Sequence, residues 1–105
     1  MSGRNHLVKV TIAFRNLEGT DAIRTYATEK ITNALQKFIH QDTEAHLTIK
    51  VEKVSQIAEL SFHCDGADFR ASGESDSLYA AIDSLVDSIS QQLRKHKEKL
   101  VEHHK

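Results

Sequence analysis

At 105 residues, 39% hydrophobic and 28% charged, the chain has the size and composition of one soluble domain that needs neither disulfides nor a metal. Fourteen Lys and Arg against fifteen Asp and Glu leave a net charge of −1, which argues against a protein that grips nucleic acid by its average charge. One cysteine excludes an intramolecular disulfide and suits a reducing, cytoplasmic setting, and no apolar run approaches the ~20 residues that cross a bilayer. Lys9 and Arg15 bracket the first apolar stretch, so a secretory leader is not expected. Residues 1–105 read as one unit, with 1–6 and 102–105 expected to fray.

The first element is VKVTIAF at 8–14. Val8, Val10, Ile12 and Phe14 alternate with Lys9, Thr11 and Ala13, the period of a half-buried strand. GTDA at 19–22 starts a helix, with Thr20 as N-cap and Asp21 in the first turn. Ile23, Ala27, Ile31, Ala34, Leu35 and Phe38 form its apolar face, and the HQDTE loop follows at 40–44. A second strand turns Ala45, Leu47, Ile49 and Val51 inward. A third, AELSFHC, does the same with Ala58, Leu60, Phe62 and Cys64.

Asp65-Gly66 signals a hairpin into a fourth strand with Phe69 and Ala71 inward. Ser75 or Asp76 then caps a long helix striped by Leu78, Ile82, Leu85, Val86, Ile89, Leu93 and Leu100. Four one-sided strands and two amphipathic helices give an α+β fold. The expected architecture is a two-layer β-α-β-β-β-α sandwich, a four-stranded sheet with both helices packed on one face. The strand–helix–strand unit makes the first two strands parallel if they are neighbours.

The second helix carries the most unusual charge pattern. Four of the six residues from Arg94 to Lys99 are basic, after a stretch from Arg70 without Lys or Arg. A helix from about 76 to 103 runs ~40 Å, against ~23 Å for seven-residue strands, so its end should overhang the sheet as a basic prong. Cations at a helix C-terminus complement the macrodipole, which accounts for one or two of them. Four exceed that need and leave an anionic partner open. On the first helix Tyr26, Lys30, Asn33 and Lys37 form a polar stripe beside the apolar one. Lys50 and Lys53 add a third basic patch, a spread suited to phosphate contacts.

Other chemistry is poorly supported. His6, His40, His46, His63, His96, His103 and His104 are scattered, with no HExxH and no cysteine pair, so they are expected to face solvent and no metal or other cofactor is expected. No GxSxG or Gly-rich phosphate loop occurs, and Cys64 reads as a core residue; an enzyme is rejected.

TDAIRTYATEK at 20–30, IKVEKV at 49–54, YAAID at 79–83 and QLRKHKEKL at 92–100 together resemble the ribosome hibernation promoting factor family, also known through ribosome-associated inhibitor A. The resemblance runs from about Lys9 to His104. It implies a stress or stationary-phase factor that binds the small ribosomal subunit between head and body, where messenger and transfer RNA lie, and blocks translation by occupancy. The family's ribosomal-RNA contacts fall here on Arg24, Lys30, Lys53, Lys95, Lys97 and Lys99; the charge pattern adds Lys37, Lys50 and Arg94. Stopping after the last helix, the chain is similar to the short form, which is associated with ribosome dimerisation assisted by ribosome modulation factor. The free protein is expected to be monomeric, with no membrane and no small-molecule substrate.

Some positions depart from the family pattern. Phe14 stands where a glycine commonly ends the first strand, and Asn33, Ser88 and Gln91 stand where relatives often carry Lys or Arg. The alternative reading is a stand-alone double-stranded RNA-binding module, whose core order is α-β-β-β-α. It lacks a clear basic loop between strands to support it. A protein-interaction domain using the open sheet face is the third.

Overall fold

The structure, a computed structural model, describes residues 7–64 and 66–102, with side chains as far as Lys97. In chain order the elements are β1 (Val8–Arg15), α1 (Asp21–Gln36), β2 (Thr43–Glu52), β3 (Ser55–Cys64), β4 (Ala67–Ser75) and α2 (Leu78–Glu102). The four strands form one sheet in the order β1-β2-β3-β4. β1 and β2 pair in parallel, and the remaining pairs are antiparallel.

Alternation sets the two faces. Ala45, Leu47 and Ile49 of β2 lie opposite Phe62, Leu60 and Ala58 of β3, and all six are buried. Phe62 stacks on its neighbour Phe69 in β4 with ring centroids 5.2 Å apart. Both helices cover this face: Ile23, Ala27, Ile31 and Leu35 from α1 join Ala81, Ile82, Leu85, Ile89 and Leu93 from α2 in one core. Cys64 is fully buried and reduced in that core, as expected for a small apolar residue.

Local chemistry starts and stops each element. Thr20, in extended conformation, accepts a hydrogen bond from the Ile23 amide at 3.2 Å and caps α1. α1 ends at Gln36 with Lys37 as C-cap. Phe38, expected within the helix face, therefore lies beyond the helix, half-buried, and Ile39 is buried next to it. The cap of α2 is Ser77 rather than Ser75 or Asp76: its carbonyl takes the Ala81 amide and its hydroxyl the Ala80 amide at 3.5 Å. Ser75 serves one step earlier, accepting from the Ser77 amide at 3.4 Å.

Two glycines are needed for close approach. A Cβ on Gly73 would meet backbone atoms of Ala81 and Leu85, so the missing side chain lets the backbone of α2 approach β4 closely at this point. A Cβ on Gly19 would enter the ring of Phe14. The turn after β1 is thus built around Phe14, with Asn16 supplying the left-handed step at φ 64°. Asp65 of the β3–β4 hairpin lies outside the described residues; Gly66 beside it adopts φ 75°.

Candidate nucleic-acid interface

The topology sends both helices the same way. β4 is antiparallel to β3, which is antiparallel to β2, which is parallel to β1. α1 and α2 therefore leave the same end of the sheet and run back side by side. Their contact is fixed near the start by Tyr26, which donates a hydrogen bond to Asp83 at 2.5 Å and meets Tyr79 edge to face at 4.8 Å. Asp83 holds the phenol proton, and with some help from burial raises Tyr26 above its ordinary value near 10.

From that contact the polar stripe on α1 acquires a place. At about 100° per residue, Lys30, Asn33 and Lys37 follow Tyr26 along the flank that faces α2. On α2, Asp83, Val86, Ser90, Arg94 and Lys97 follow Tyr79 along the flank that faces α1, Lys97 lying about five turns further on. The two lines form a seam between the helices. Tyrosines and Asp83 occupy its first third, and Lys37, Arg94 and Lys97 its far end. All three cations are exposed, and so is Lys95 on the outer side of α2.

The remaining sequence-derived residues do not join that far end. Arg24 lies on the other flank of α1 with its guanidinium 4.9 Å from the centre of the Phe14 ring. Lys53 is exposed in the β2–β3 turn, at the end of the sheet where the helices begin, in a left-handed conformation of φ 57°. Lys50 is on the opposite face of the sheet, 25% exposed, between Glu52 at 3.6 Å and Glu59 at 3.5 Å. The Lys99 side chain lies outside the described residues.

The prong is also better docked than its length suggests. Leu93 is buried, the His96 ring meets Phe69 edge on at 5.3 Å, and Gln92 donates to the Arg70 carbonyl at 3.0 Å. Arg94, Lys95 and Lys97 therefore stand above the sheet and not beyond it. His96 is half-buried, against the expectation of solvent-facing histidines, whereas His40, His46 and His63 are exposed. Among the described residues no three His, Cys, Asp or Glu gather as metal ligands.

The other sheet face is different in kind. Lys9 pairs with Glu44 at 3.9 Å, and the His63 ring lies 2.8 Å from Asp68. An open hollow of about 470 Å³ there is lined by His46, Thr48, Glu59, Ser61, Arg70 and Ser72. Arg70 and Arg15, which the sequence reading left aside, both belong to this face, as the strand registers show. Among the described residues no helix of the chain is long and apolar enough to cross a membrane.

A four-stranded sheet with both helices on one side, whose helical face carries exposed cations without carboxylate partners among the described residues, defines a small α+β protein with a basic cluster at the far end of its helical face. Residues 10–101 match the family described as sigma 54 modulation protein / S30EA ribosomal protein, and the chain belongs to that family. It is 40% identical over 96 residues to the ribosome hibernation promoting factor of Klebsiella oxytoca, covering 91% of this chain and 100% of that one. The protein of the same name from Azotobacter vinelandii is 40% identical over 95 residues, 90% of this chain and 88% of its own. Among solved structures, the N-terminal domain of Protein Y from Thermus thermophilus superposes with a TM-score of 0.74 at 29% identity, covering 89% of this chain and 99% of that one. A ribosomal subunit interface protein from Coxiella burnetii shares the fold, with a TM-score of 0.77 at 21% identity over 86% of this chain and 98% of its own.

Proposed function

We propose that this protein is a ribosome hibernation factor that occupies the messenger and transfer-RNA cleft of the small ribosomal subunit and blocks translation under stress or in stationary phase. The observation that carries the reading is the set of helix-face cations, Lys30, Lys37, Arg94, Lys95 and Lys97, none of which has a carboxylate partner among the described residues. Surface cations not already neutralised by a carboxylate are the groups that release counterions when they meet phosphate. Relatives that bear the name ribosome hibernation promoting factor over nearly this whole length supply the ribosome as the polyanion.

Arg24, Lys53 and Lys99 complete the proposed ribosomal-RNA contacts, while Lys50 faces the other way and is the weakest member. Occupancy needs no reaction, so no catalytic group is assigned, and the site of action is the cytoplasm. The free protein acts as a monomer. Its β4 edge is partly closed by Gln92, and Lys9 and Arg15 discourage self-pairing along β1. With ribosome modulation factor present, the same occupancy extends to ribosome dimers. A stand-alone duplex-RNA module is not favoured, since β1 adds a parallel strand to the sheet that such a module lacks.

Sedimentation with purified small subunits, followed by titration into a purified translation system, tests the proposal. Inhibition should be stoichiometric and relieved by excess initiator transfer RNA. Inhibition at strongly substoichiometric amounts would mean turnover, and the occupancy reading would fall.

A further inference from the structure

The aromatic end of the seam has a use that its cations do not explain. Tyr79 is 43% exposed at the start of α2, although a ring of that size could have been folded into the interhelical contact. Its partner Tyr26 lies at an interplanar angle of 79°, so one ring presents an edge to the face of the other. Only one ring gives up a face in such a pair. If that ring is Tyr79, its second face stays uncovered by Tyr26; if it is Tyr26, both faces of Tyr79 do. Tyr26 is in addition pinned by its hydrogen bond to Asp83 and approached by Lys30, whose Nζ lies 5.5 Å from the ring centre. Tyr26 is the buttress, and Tyr79 the ring with a face to offer.

Charge then selects the guest. Asp83 places a carboxylate beside the two rings, which repels a phosphate but leaves an uncharged nucleobase free to stack. Lys30, one turn along α1, and Lys53, at the same end of the molecule, are placed for the phosphates on either side. We propose that Tyr79 is a stacking platform for an unpaired RNA base, held rigid by Tyr26 and kept free of phosphate by Asp83. The proposal rests on the reading of the helix face as an RNA-binding surface and names the chemistry of one position within it. Because Tyr26 is already fixed before binding, little ordering cost remains to be met when the base arrives.

The chain has two tyrosines, both in this cluster, and no tryptophan, so its intrinsic emission reports on this site alone. The probes are a single-stranded RNA of roughly ten nucleotides, within the 4–16 typical of such sites, and an abasic strand of equal length. The base-bearing strand should quench the emission and bind about 5- to 160-fold more tightly than the abasic one, the range expected for one stacked base. Tyr79→Leu should remove that advantage and leave the salt dependence unchanged, because stacking releases no counterions, while the domain stays folded with a modestly lowered thermal transition from the lost contact with Tyr26. Tyr79→Phe should retain it. Equal binding of the two strands, no binding of the base-bearing strand, or wild-type behaviour of Tyr79→Leu would each overturn the platform. Failure of the wild-type protein to sediment with small subunits, with base-dependent quenching intact, would instead remove the ribosome and leave the platform standing.

Discussion

The two faces of this molecule hold similar kinds of charge and treat them in opposite ways. On the sheet face Lys9 and Lys50 each lie within reach of carboxylates on their own or the next strand, and His63 adjoins Asp68. On the helix face the first half of α2 holds only acids, Asp83 and Asp87, while its second half gathers Arg94, Lys95, Lys97 and Lys99 against Glu98 and Glu102. Exposed pairs of the first kind contribute little to stability, about 0–1 kcal/mol each, but they cancel the local field. The second arrangement preserves a local excess of positive charge, because screening over ~8 Å keeps Asp83 and Asp87 from reaching cations two or more turns away. A net charge of −1 hides this difference completely.

The harshest way to break the comparison is to remove the core that holds both faces. Leu85 is fully buried between α2 and the sheet. Leu85→Asp would put an unpaired carboxylate there and should abolish the cooperative thermal transition. An unchanged transition would mean that the phase assigned to α2, and with it the seam, is wrong.

Next in size is a direct contest between the faces. Replacing Arg94, Lys95 and Lys97 with Gln keeps good helix formers, so folding should hold while binding to small subunits weakens. The log–log salt slope should flatten by roughly 2–3 for three lost phosphate contacts. Replacing the paired Lys9 and Lys50 with Gln should move the slope by less than one contact's worth, ~0.9. An equal change of slope per cation in the two variants would show that pairing on the sheet face does not decide which cations meet RNA.

A smaller effect is expected where α2 touches the sheet. Gly73→Ala would force its methyl group against the backbone of Ala81 and Leu85. The expected loss is about 1–3 kcal/mol, read from chemical denaturation, as for other overpacked sites. Should binding to small subunits fall further than this loss of stability explains, the seat of α2 also sets how its cations are presented.

These particulars show what was legible in the sequence. Period-two runs placed β1, β2 and β4 to within about two residues, and Thr20 announced α1, because alternation and capping are local. The start of β3 was missed: Gln56 faces inward and Ile57 outward, which inverts the expected pattern over Ser55–Ile57. Three polar residues in a row, Ser75, Asp76 and Ser77, hid which one caps α2. The seam was half visible. The stripe Tyr26, Lys30, Asn33 and Lys37 could be read from spacing, and a second line through Tyr79, Asp83, Ser90, Arg94 and Lys97 was equally periodic. Only the long-range contacts of Tyr26 with Asp83, 57 positions away, and with Tyr79 show that the two lines face each other. Alternation alone turns Lys50 outward on β2, away from the helices, but its neighbour Glu59 on the next strand is a relation set by register, which the sequence does not show.

The subtlest prediction concerns that same long-range contact. Tyr26 donates its phenol proton to Asp83, and the folded state therefore holds this proton more tightly than the unfolded chain does. The contribution is fully present below the unfolded value near 10 and is lost as pH rises through the higher folded value. Above pH 10 the unfolded state releases the proton first, binds fewer protons than the folded state, and stability must fall with pH. Lysines titrate in the same range, so the comparison has to be with Tyr26→Phe, which keeps the ring and removes the acid. Between pH 8 and about 11 the wild-type urea midpoint should fall more steeply than that of the variant, the gap between them closing as the phenol ionises. If the two midpoints ran parallel across that range, the Tyr26–Asp83 bond would contribute nothing in solution, and the helices would be aligned by their apolar faces alone.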